Sequence, residues 1–153
     1  MLISPDELLY QDGDYVWSKD QAAAAWATSY ERLQEALRGG QVREVVCLMG
    51  LPGSGKSTWL EGASTASEAT VYFDATFCKA HHRQDFLGRL TGAPVMKSLV
   101  WLDTPLKVCQ ERNSLRPKSR QVPDSQIESM AVAVRMTPPA FTEGWDQIRV
   151  VRP

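Results

Sequence analysis

One glycine-rich stretch constrains this chain more than any other feature. Residues 45–49 are five apolar residues in a row, which predicts a buried strand. Directly after them, residues 50–57 have the pattern Gly-x-x-x-x-Gly-Lys-Ser, which is typical of a loop whose backbone cradles phosphate groups. Because a strand precedes the loop and every fixed position matches, we interpret the stretch as a phosphate-binding loop rather than a simple turn between strand and helix.

The residue types of this loop suit a triphosphate. Glycines at positions 50, 53 and 55 let the backbone adopt positive φ and bring successive N–H groups close to the phosphate oxygens. The Lys56 ammonium would reach the β- and γ-phosphates, and the Ser57 hydroxyl would bind Mg²⁺. We therefore predict ATP and Mg²⁺ as cofactors. The predicted contact residues are Gly50, Leu51, Pro52, Gly53, Ser54, Gly55, Lys56, Ser57 and Thr58.

The length of 153 residues predicts a single domain. We divide residues 1–153 into an N-terminal helical extension (1–40) and a nucleotide-binding core (41–153). The longest apolar runs are about five residues, too short to cross a bilayer, so we expect no membrane partner. The net charge of -1 gives no sign of a protein that coats nucleic acid by charge alone and leaves a local basic patch open. Three widely spaced cysteines fit a reducing cytoplasm, where we expect the protein to reside.

Strand-like and helix-like segments alternate along the chain. The predicted strands cover 45–49, 71–73, 97–102 and 148–151, and helices are predicted near 19–38, 56–62, 79–90, 105–115 and 125–136. Residues 1–17 and 63–70 are predicted to be irregular. Such alternation favours a parallel sheet with right-handed crossovers. The predicted fold is therefore α/β with about four to five parallel strands, and together with the glycine-rich loop it resembles the three-layer P-loop NTPase fold of the kinase-like kind.

Two aspartates follow predicted strands at the edge where ligands of parallel sheets bind. Asp74 ends the second strand of the core, and Asp103 ends the third. Either carboxylate would hold Mg²⁺ through water or accept a proton from an attacking hydroxyl. The alternative is that each simply caps the next turn. We favour a functional role for Asp74 and leave the two readings of Asp103 open.

Basic residues form a second constellation. Arg112, Arg116 and Arg120 recur every fourth residue, and an arginine fork can bind two phosphoryl oxygens at once. We predict that residues at about 107–123 form a mobile lid that closes over ATP. The alternative is a solvated helix face. Arg83 is left open between an acceptor phosphate and a local partner such as Asp85.

These residues together resemble the P-loop kinase domain of the polynucleotide 5′-hydroxyl kinases and the ATPases grouped with them. The similarity runs from residue 45 to about 151, through the loop at 50–59, the Asp-x-Thr at 74–76, and the lid-like segments 102–105 and 111–123. The resemblance implies that Lys56 and Ser57 bind ATP and Mg²⁺. It also implies that Arg116 contacts the phosphates during transfer, with Arg112 in support.

The chain departs from that family after the loop. Family members have a further strand there, which ends in the aspartate that acts as general base, and about a dozen residues here leave no room for it. Asp74 would then serve as both metal organiser and base. Alternatively, the amino-terminal segment folds back over the missing region and offers Asp12 or Asp14. The identity of the general base therefore stays open. The candidates are Asp74, Asp12, Asp14 and Asp103, and the alternative is that none of them serves as the base.

The resemblance implies an ATP-dependent phosphotransferase that acts on a hydroxyl, with a nucleic-acid 5′ end as the favoured acceptor. A nucleoside or small-molecule kinase is the runner-up, because basic residues are sparse outside the lid. A nucleotide-binding ATPase module with weak or no transferase activity is the alternative of another class.

Overall fold

The computed structural model describes residues 1–63 and 67–152. Within these residues the strands are, in chain order, β1 (Leu2–Ile3), β2 (Tyr10–Gln11), β3 (Asp14–Tyr15), β4 (Glu44–Met49), β5 (Thr70–Asp74), β6 (Met96–Leu102) and β7 (Gln147–Val151). The α-helices are α1 (Lys19–Arg38), α2 (Lys56–Gly62), α3 (Ala80–Arg89), α4 (Leu106–Ser114) and α5 (Asp124–Met136). Short 3₁₀ helices lie at Asp6–Leu9, Lys118–Arg120 and Phe141–Glu143. The loop predicted at 63–70 lies partly outside the described residues.

Five strands form one parallel sheet in the order β1-β5-β4-β6-β7. Helices flank this sheet, which confirms the predicted α/β class and is consistent with a P-loop NTPase-like domain. The central strand is β4, which leads into the glycine-rich loop. In its register Leu48 pairs with Asp74 on one side and Val100 on the other. The carboxyl ends of β4, β5 and β6 therefore meet at one edge.

The apolar run of β4 is buried because the sheet is covered on both faces. Val45, Cys47 and Met49 belong to the larger core, and Val46 and Leu48 belong to the smaller one. Alternate residues of a strand point to opposite faces, so a strand between two helical layers is apolar at every position. This explains why β4 has no alternating pattern in the sequence.

The helix predicted at 19–38 is confirmed as α1. Ser18 caps it, because the Ser18 Oγ accepts a hydrogen bond from the Gln21 N–H at 3.1 Å. Its apolar stripe packs on the larger core, where the half-buried Trp26 lies against the rings of Phe73 and Phe77. Among the described residues no helix, α1 included, is both long enough and apolar enough to cross a membrane.

The amino-terminal residues correct the prediction that residues 1–17 are irregular. β1 pairs with β5 and completes the sheet at one edge, and β2 and β3 form a small antiparallel hairpin. Strands of two residues carry no detectable periodicity, so the sequence contains no signal for them. Their partners decide whether they form.

Arg83 has a structural role that no local sequence pattern indicates. Its side chain is fully buried and pairs with Glu143, with Nη2 and Oε1 2.7 Å apart. Asp85, the local partner considered from the sequence, pairs instead with Arg89 at 3.6 Å. The Arg83 guanidinium also donates to the carbonyl oxygens of Phe77 and Thr137. It therefore ties the segment after β5 to the segment that precedes β7.

Candidate active site

The glycine-rich loop is packed too closely to accept side chains at two of its glycines. A Cβ at Gly50 would collide with the Ser54 hydroxyl, and one at Gly53 would lie 2.6 Å from the Cys109 carbonyl oxygen. Positive φ, predicted for all three glycines, is observed at Gly53 (+83°) and Gly55 (+98°). Gly50 therefore serves by its small size rather than by its backbone conformation.

Replacing Gly53 with alanine should distort this loop. The new Cβ would meet the backbone of α4, and alanine is strained at a φ of +83°. We expect the free energy of unfolding to fall by about 1–3 kcal/mol, with weaker ATP binding. Urea denaturation and nucleotide titration would measure both effects. Gly88→Ala is the matched control, because a Cβ there meets open space in α3 and should stabilise by about 0.5–1 kcal/mol. Equal effects of the two changes would contradict the expectation.

Two side chains hold the glycine-rich loop through contacts that the sequence did not predict. The Thr104 hydroxyl is buried and donates to the Ser54 carbonyl oxygen at 2.8 Å. The Arg112 Nη1 donates to the Gly53 carbonyl oxygen at 3.3 Å. Both groups come from the chain after β6, more than forty residues from the loop, so no local pattern marks these contacts. They hold the loop from the side of β6 and α4.

Lys56 lies folded over the loop. Its Nζ donates to the carbonyl oxygens of Gly50 (2.9 Å) and Leu51 (3.2 Å). Burial lowers the pKa of the Lys56 ammonium, and the nearby Asp74 and Asp6 carboxylates oppose that shift. A cation that is partly stripped of water beside exchangeable carbonyl contacts is well suited to bind an incoming anion.

Asp74 ends β5 beside this lysine. Within the part of the chain that the structure describes, its Oδ1 is buried and has no hydrogen-bond partner. Burial raises the pKa of Asp74, Lys56 opposes the shift, and the like charges of Asp6 and Glu7 add to it. A buried acceptor without a partner is costly, and a hydrated Mg²⁺ would satisfy it. The Asp74 carboxylate and the Ser57 hydroxyl, which both line this cavity, are therefore groups that would suit a bound Mg²⁺.

Asp103 lies apart from the other predicted metal ligands. Its carboxylate accepts a hydrogen bond from the Arg152 Nε at 3.2 Å, and it does not line the cavity around the loop. Its backbone N–H donates to the Val151 carbonyl oxygen. Ser57 and Asp74 thus line one cavity, and Asp103 does not line it.

The three lid arginines Arg112, Arg116 and Arg120 all line the cavity that contains the loop. The base of this segment is fixed, because the Asn113 side chain exchanges two hydrogen bonds with the Val122 backbone at 2.7 and 3.0 Å. The far end touches the amino-terminal hairpin, where the Arg120 guanidinium lies 4.7 Å from the centre of the Tyr10 ring. The lid-like segment therefore spans from the loop to the amino-terminal segment.

The amino-terminal segment also lines this cavity. Asp6 and Glu7 line it, whereas Asp12 and Asp14 are exposed in the hairpin and do not. Four aromatic side chains line the same cavity: Tyr10, Tyr15, Trp17 and Trp26. The segment does reach the site, but with carboxylates other than the two considered from the sequence.

The cavity has a volume of about 1180 Å³. Typical pockets for one small molecule measure about 300–1,000 Å³. The space therefore suffices for a nucleotide together with part of a second substrate. Its lining combines the glycine-rich loop and the lid arginines with carboxylates and aromatic rings.

Comparison with known proteins gives one family match. A family model described as an AAA domain matches residues 63–137, just under half of the chain. The matched range runs from the end of α2 through α5 and lies beyond the glycine-rich loop, so it adds to the motif rather than repeating it. It supports a relationship to P-loop NTPases of the kinase-like kind and suggests nucleotide binding. No match was found among curated proteins.

Proposed function

We propose that this protein is an ATP-dependent phosphotransferase that moves the γ-phosphate of ATP to a hydroxyl. One observation carries the proposal: a single cavity is lined by Lys56 and its loop, by Asp74, and by the three lid arginines. Phosphoryl transfer needs positioning and charge neutralisation more than covalent chemistry, and this set of groups supplies both.

Each group has a distinct task in this mechanism. The loop backbone from Gly50 to Ser57 and the Lys56 ammonium bind and orient the phosphates. Ser57 and Asp74 would hold Mg²⁺, which supplies charge neutralisation at the phosphate oxygens. Arg116 and Arg112 reach the phosphates from the lid and stabilise the charge that spreads over the transferring group. Closure of the lid also excludes water, which would otherwise compete with the acceptor.

The acceptor we favour is the 5′ end of a nucleic acid. Nucleobases stack on aromatic rings, each stack being worth about 1–3 kcal/mol, and four aromatic side chains of residues 1–40 line the cavity. The Trp17 side chain is 62% exposed, so its ring is accessible for stacking with a base. Because the chain has a net charge of -1, we expect the protein to contact a terminal nucleotide rather than a long track of phosphates.

Incubation with γ-labelled ATP and Mg²⁺ tests the proposal directly. The acceptors are 5′-hydroxyl DNA and RNA, nucleosides and simple sugars. We expect label on the nucleic-acid ends, and Lys56→Ala should lower transfer by at least about 10²-fold because it removes the charge at the phosphates. Lys19→Ala, an exposed lysine outside the cavity, is the matched control.

Other outcomes separate the alternatives. Label on nucleosides alone would assign a nucleoside kinase, and label on sugars alone would assign another small-molecule kinase. ATP binding without transfer to any acceptor would instead favour a nucleotide-binding module. Absence of ATP binding in the presence of Mg²⁺ would refute all of these functions.

A further inference from the structure

β1 brings the start of the chain to the edge of the sheet where the site lies. It pairs with β5 in parallel, with Leu2 opposite Tyr72 and Ile3 opposite Phe73. The Tyr72 N–H donates to the Met1 carbonyl oxygen at 2.8 Å, and the Met1 ammonium donates to the Thr70 carbonyl oxygen at 3.0 Å. Parallel strands end on the same side, so the residues after β1 emerge beside Asp74.

Asp6 is the first acidic residue after this strand. It begins the short 3₁₀ helix Asp6–Leu9, which is anchored by the buried Pro5 and Leu9. The Asp6 side chain is exposed and lines the cavity, where it is close enough to Lys56 and Arg116 to interact electrostatically with both. A carboxylate from the start of the chain thus lies in the same cavity as these two cations.

We propose that Asp6 is the general base of the phosphotransferase. β1, which forms the edge of the sheet beside β5, brings Asp6 to the site. This assignment rests on the proposed function. The connection between α2 and β5 is too short for the strand that carries the general base in the family that this chain resembles. In this structure the position beside β5 is occupied by β1, from the start of the chain, and Asp6 follows β1.

Position distinguishes Asp6 from Asp74. Neighbouring strands lie about 4.8 Å apart, so Asp74 on β5 is one strand spacing from the strand that carries the loop. Asp6 follows β1, which is two spacings away. In-line transfer places the acceptor oxygen on the side of the γ-phosphate opposite the leaving oxygen. Asp74, nearer the strand that carries the loop, is therefore suited to hold the metal, and Asp6, farther from that strand, is suited to act on the acceptor hydroxyl.

The chemical step balances with these groups. A bond forms between the acceptor oxygen and the γ-phosphorus while the bond from that phosphorus to the β,γ-bridging oxygen breaks. ADP leaves with the bonding electron pair, and the hydroxyl proton passes to the Asp6 carboxylate. Although the Asp6 side chain is accessible from the cavity, partial desolvation by the surrounding protein raises its pKa, and the charges of Lys56 and Arg116 oppose that shift.

The test compares isosteric variants of the two carboxylates, using the acceptor that the labelling experiment identifies. Asp6→Asn should lower kcat for transfer by about 10²-fold, with the Tm unchanged and the ATP dissociation constant no higher than in the unaltered protein. Asp6→Glu keeps a carboxylate and should recover part of the loss. Asp74→Asn should raise the Mg²⁺ concentration needed for half-maximal ATP binding, which Asp6→Asn should leave unchanged. Asp20→Asn, an exposed carboxylate outside the cavity, is the control.

An acceptor with a 5′-thiol in place of the 5′-hydroxyl sharpens the test. A thiol loses its proton far more readily than a hydroxyl, so it needs less help from a base. The loss caused by Asp6→Asn should therefore be smaller with the thiol than with the hydroxyl.

Several results would overturn the assignment of Asp6. One is a kcat for transfer in Asp6→Asn that stays within a few-fold of the unaltered protein. Another is a loss of kcat in Asp6→Asn that is equal with the hydroxyl and the thiol acceptor. The third is an equal loss of kcat in Asp6→Asn and Asp6→Glu together with a lowered Tm. Each of them leaves the proposed function intact. If the unaltered protein transfers phosphate to no acceptor, the proposed function itself fails, and the role of Asp6 fails with it.

Discussion

Arg83→Met should lower the free energy of unfolding by about 3–5 kcal/mol, because it leaves the Glu143 carboxylate without its buried partner. The Arg83 side chain is 0% exposed and that of Glu143 is 13% exposed. Three N–H···O contacts of 2.7–3.1 Å join the two side chains. Methionine has a similar length and is apolar, so the change removes the charge and the hydrogen bonds while filling much of the space.

The loss should extend to the segment after β5. Arg83 Nη1 donates to the carbonyl oxygens of Phe77 and Cys78 at 3.0 and 3.2 Å. Phe77 has a φ of +48°, a strained conformation for a residue with a Cβ, and such strain persists only where surrounding contacts hold it. Because this segment directly follows Asp74, we also expect weaker ATP binding in the variant.

Urea denaturation followed by circular dichroism measures the effect. The double variant Arg83→Met/Glu143→Gln should recover part of the loss, because it removes the unpaired charge. Arg152→Met is the matched control: it breaks the exposed pair with Asp103 and should cost less than about 1 kcal/mol. A loss in Arg83→Met no larger than in this control would show that the buried pair does not stabilise the fold.

The second large effect concerns the lid. Arg116→Ala should lower the rate of phosphoryl transfer about 10³-fold, because an arginine that contacts the transferring group stabilises charge that appears only in the transition state. The backbone of Arg116 is held in place, with its N–H on the Asn113 carbonyl oxygen at 3.1 Å and its carbonyl oxygen on Gln121 Nε2 at 2.8 Å. The exposed side chain extends from this fixed point into the cavity.

Steady-state kinetics with ATP and the acceptor, together with direct titration of ATP, would check this prediction. We expect the ATP dissociation constant to change much less than kcat. Arg116→Lys keeps the charge but not the two-pronged fork, so it should recover only part of the rate. Arg135→Ala, an exposed arginine of α5 outside the cavity, is the control. Rate and affinity that fall equally would instead assign Arg116 to ground-state binding.

Patterns of neighbouring residues made much of the fold predictable. The apolar run before the glycine-rich loop, the capping serine of α1 and the glycine and proline breaks between segments all reflect local preferences of the chain. The α/β class, β4, β5, β6 and β7, and the five α-helices were accordingly predicted to within a few residues. β1 and the β2–β3 hairpin were missed, because strands of two residues form only through their partners.

Some features of the candidate site could likewise be predicted from neighbouring residues, and others could not. The loop and the arginine series could be predicted, because each motif lies within about ten residues of chain. The partner of Arg83, sixty residues away, could not, and neither could the contact of Thr104 with the loop. Asp6 had no signal of its own either, since an aspartate after a proline near the start of a chain resembles any turn residue.

By itself, the sequence determined that this chain builds a glycine-rich loop on a buried parallel strand, because the spacing of glycines, lysine and apolar residues encodes both. Only the tertiary structure decided which carboxylates, rings and arginines surround that loop. Pairing between β1 and β5 is a contact across some seventy residues, and no local pattern specifies such a contact before the sheet has assembled.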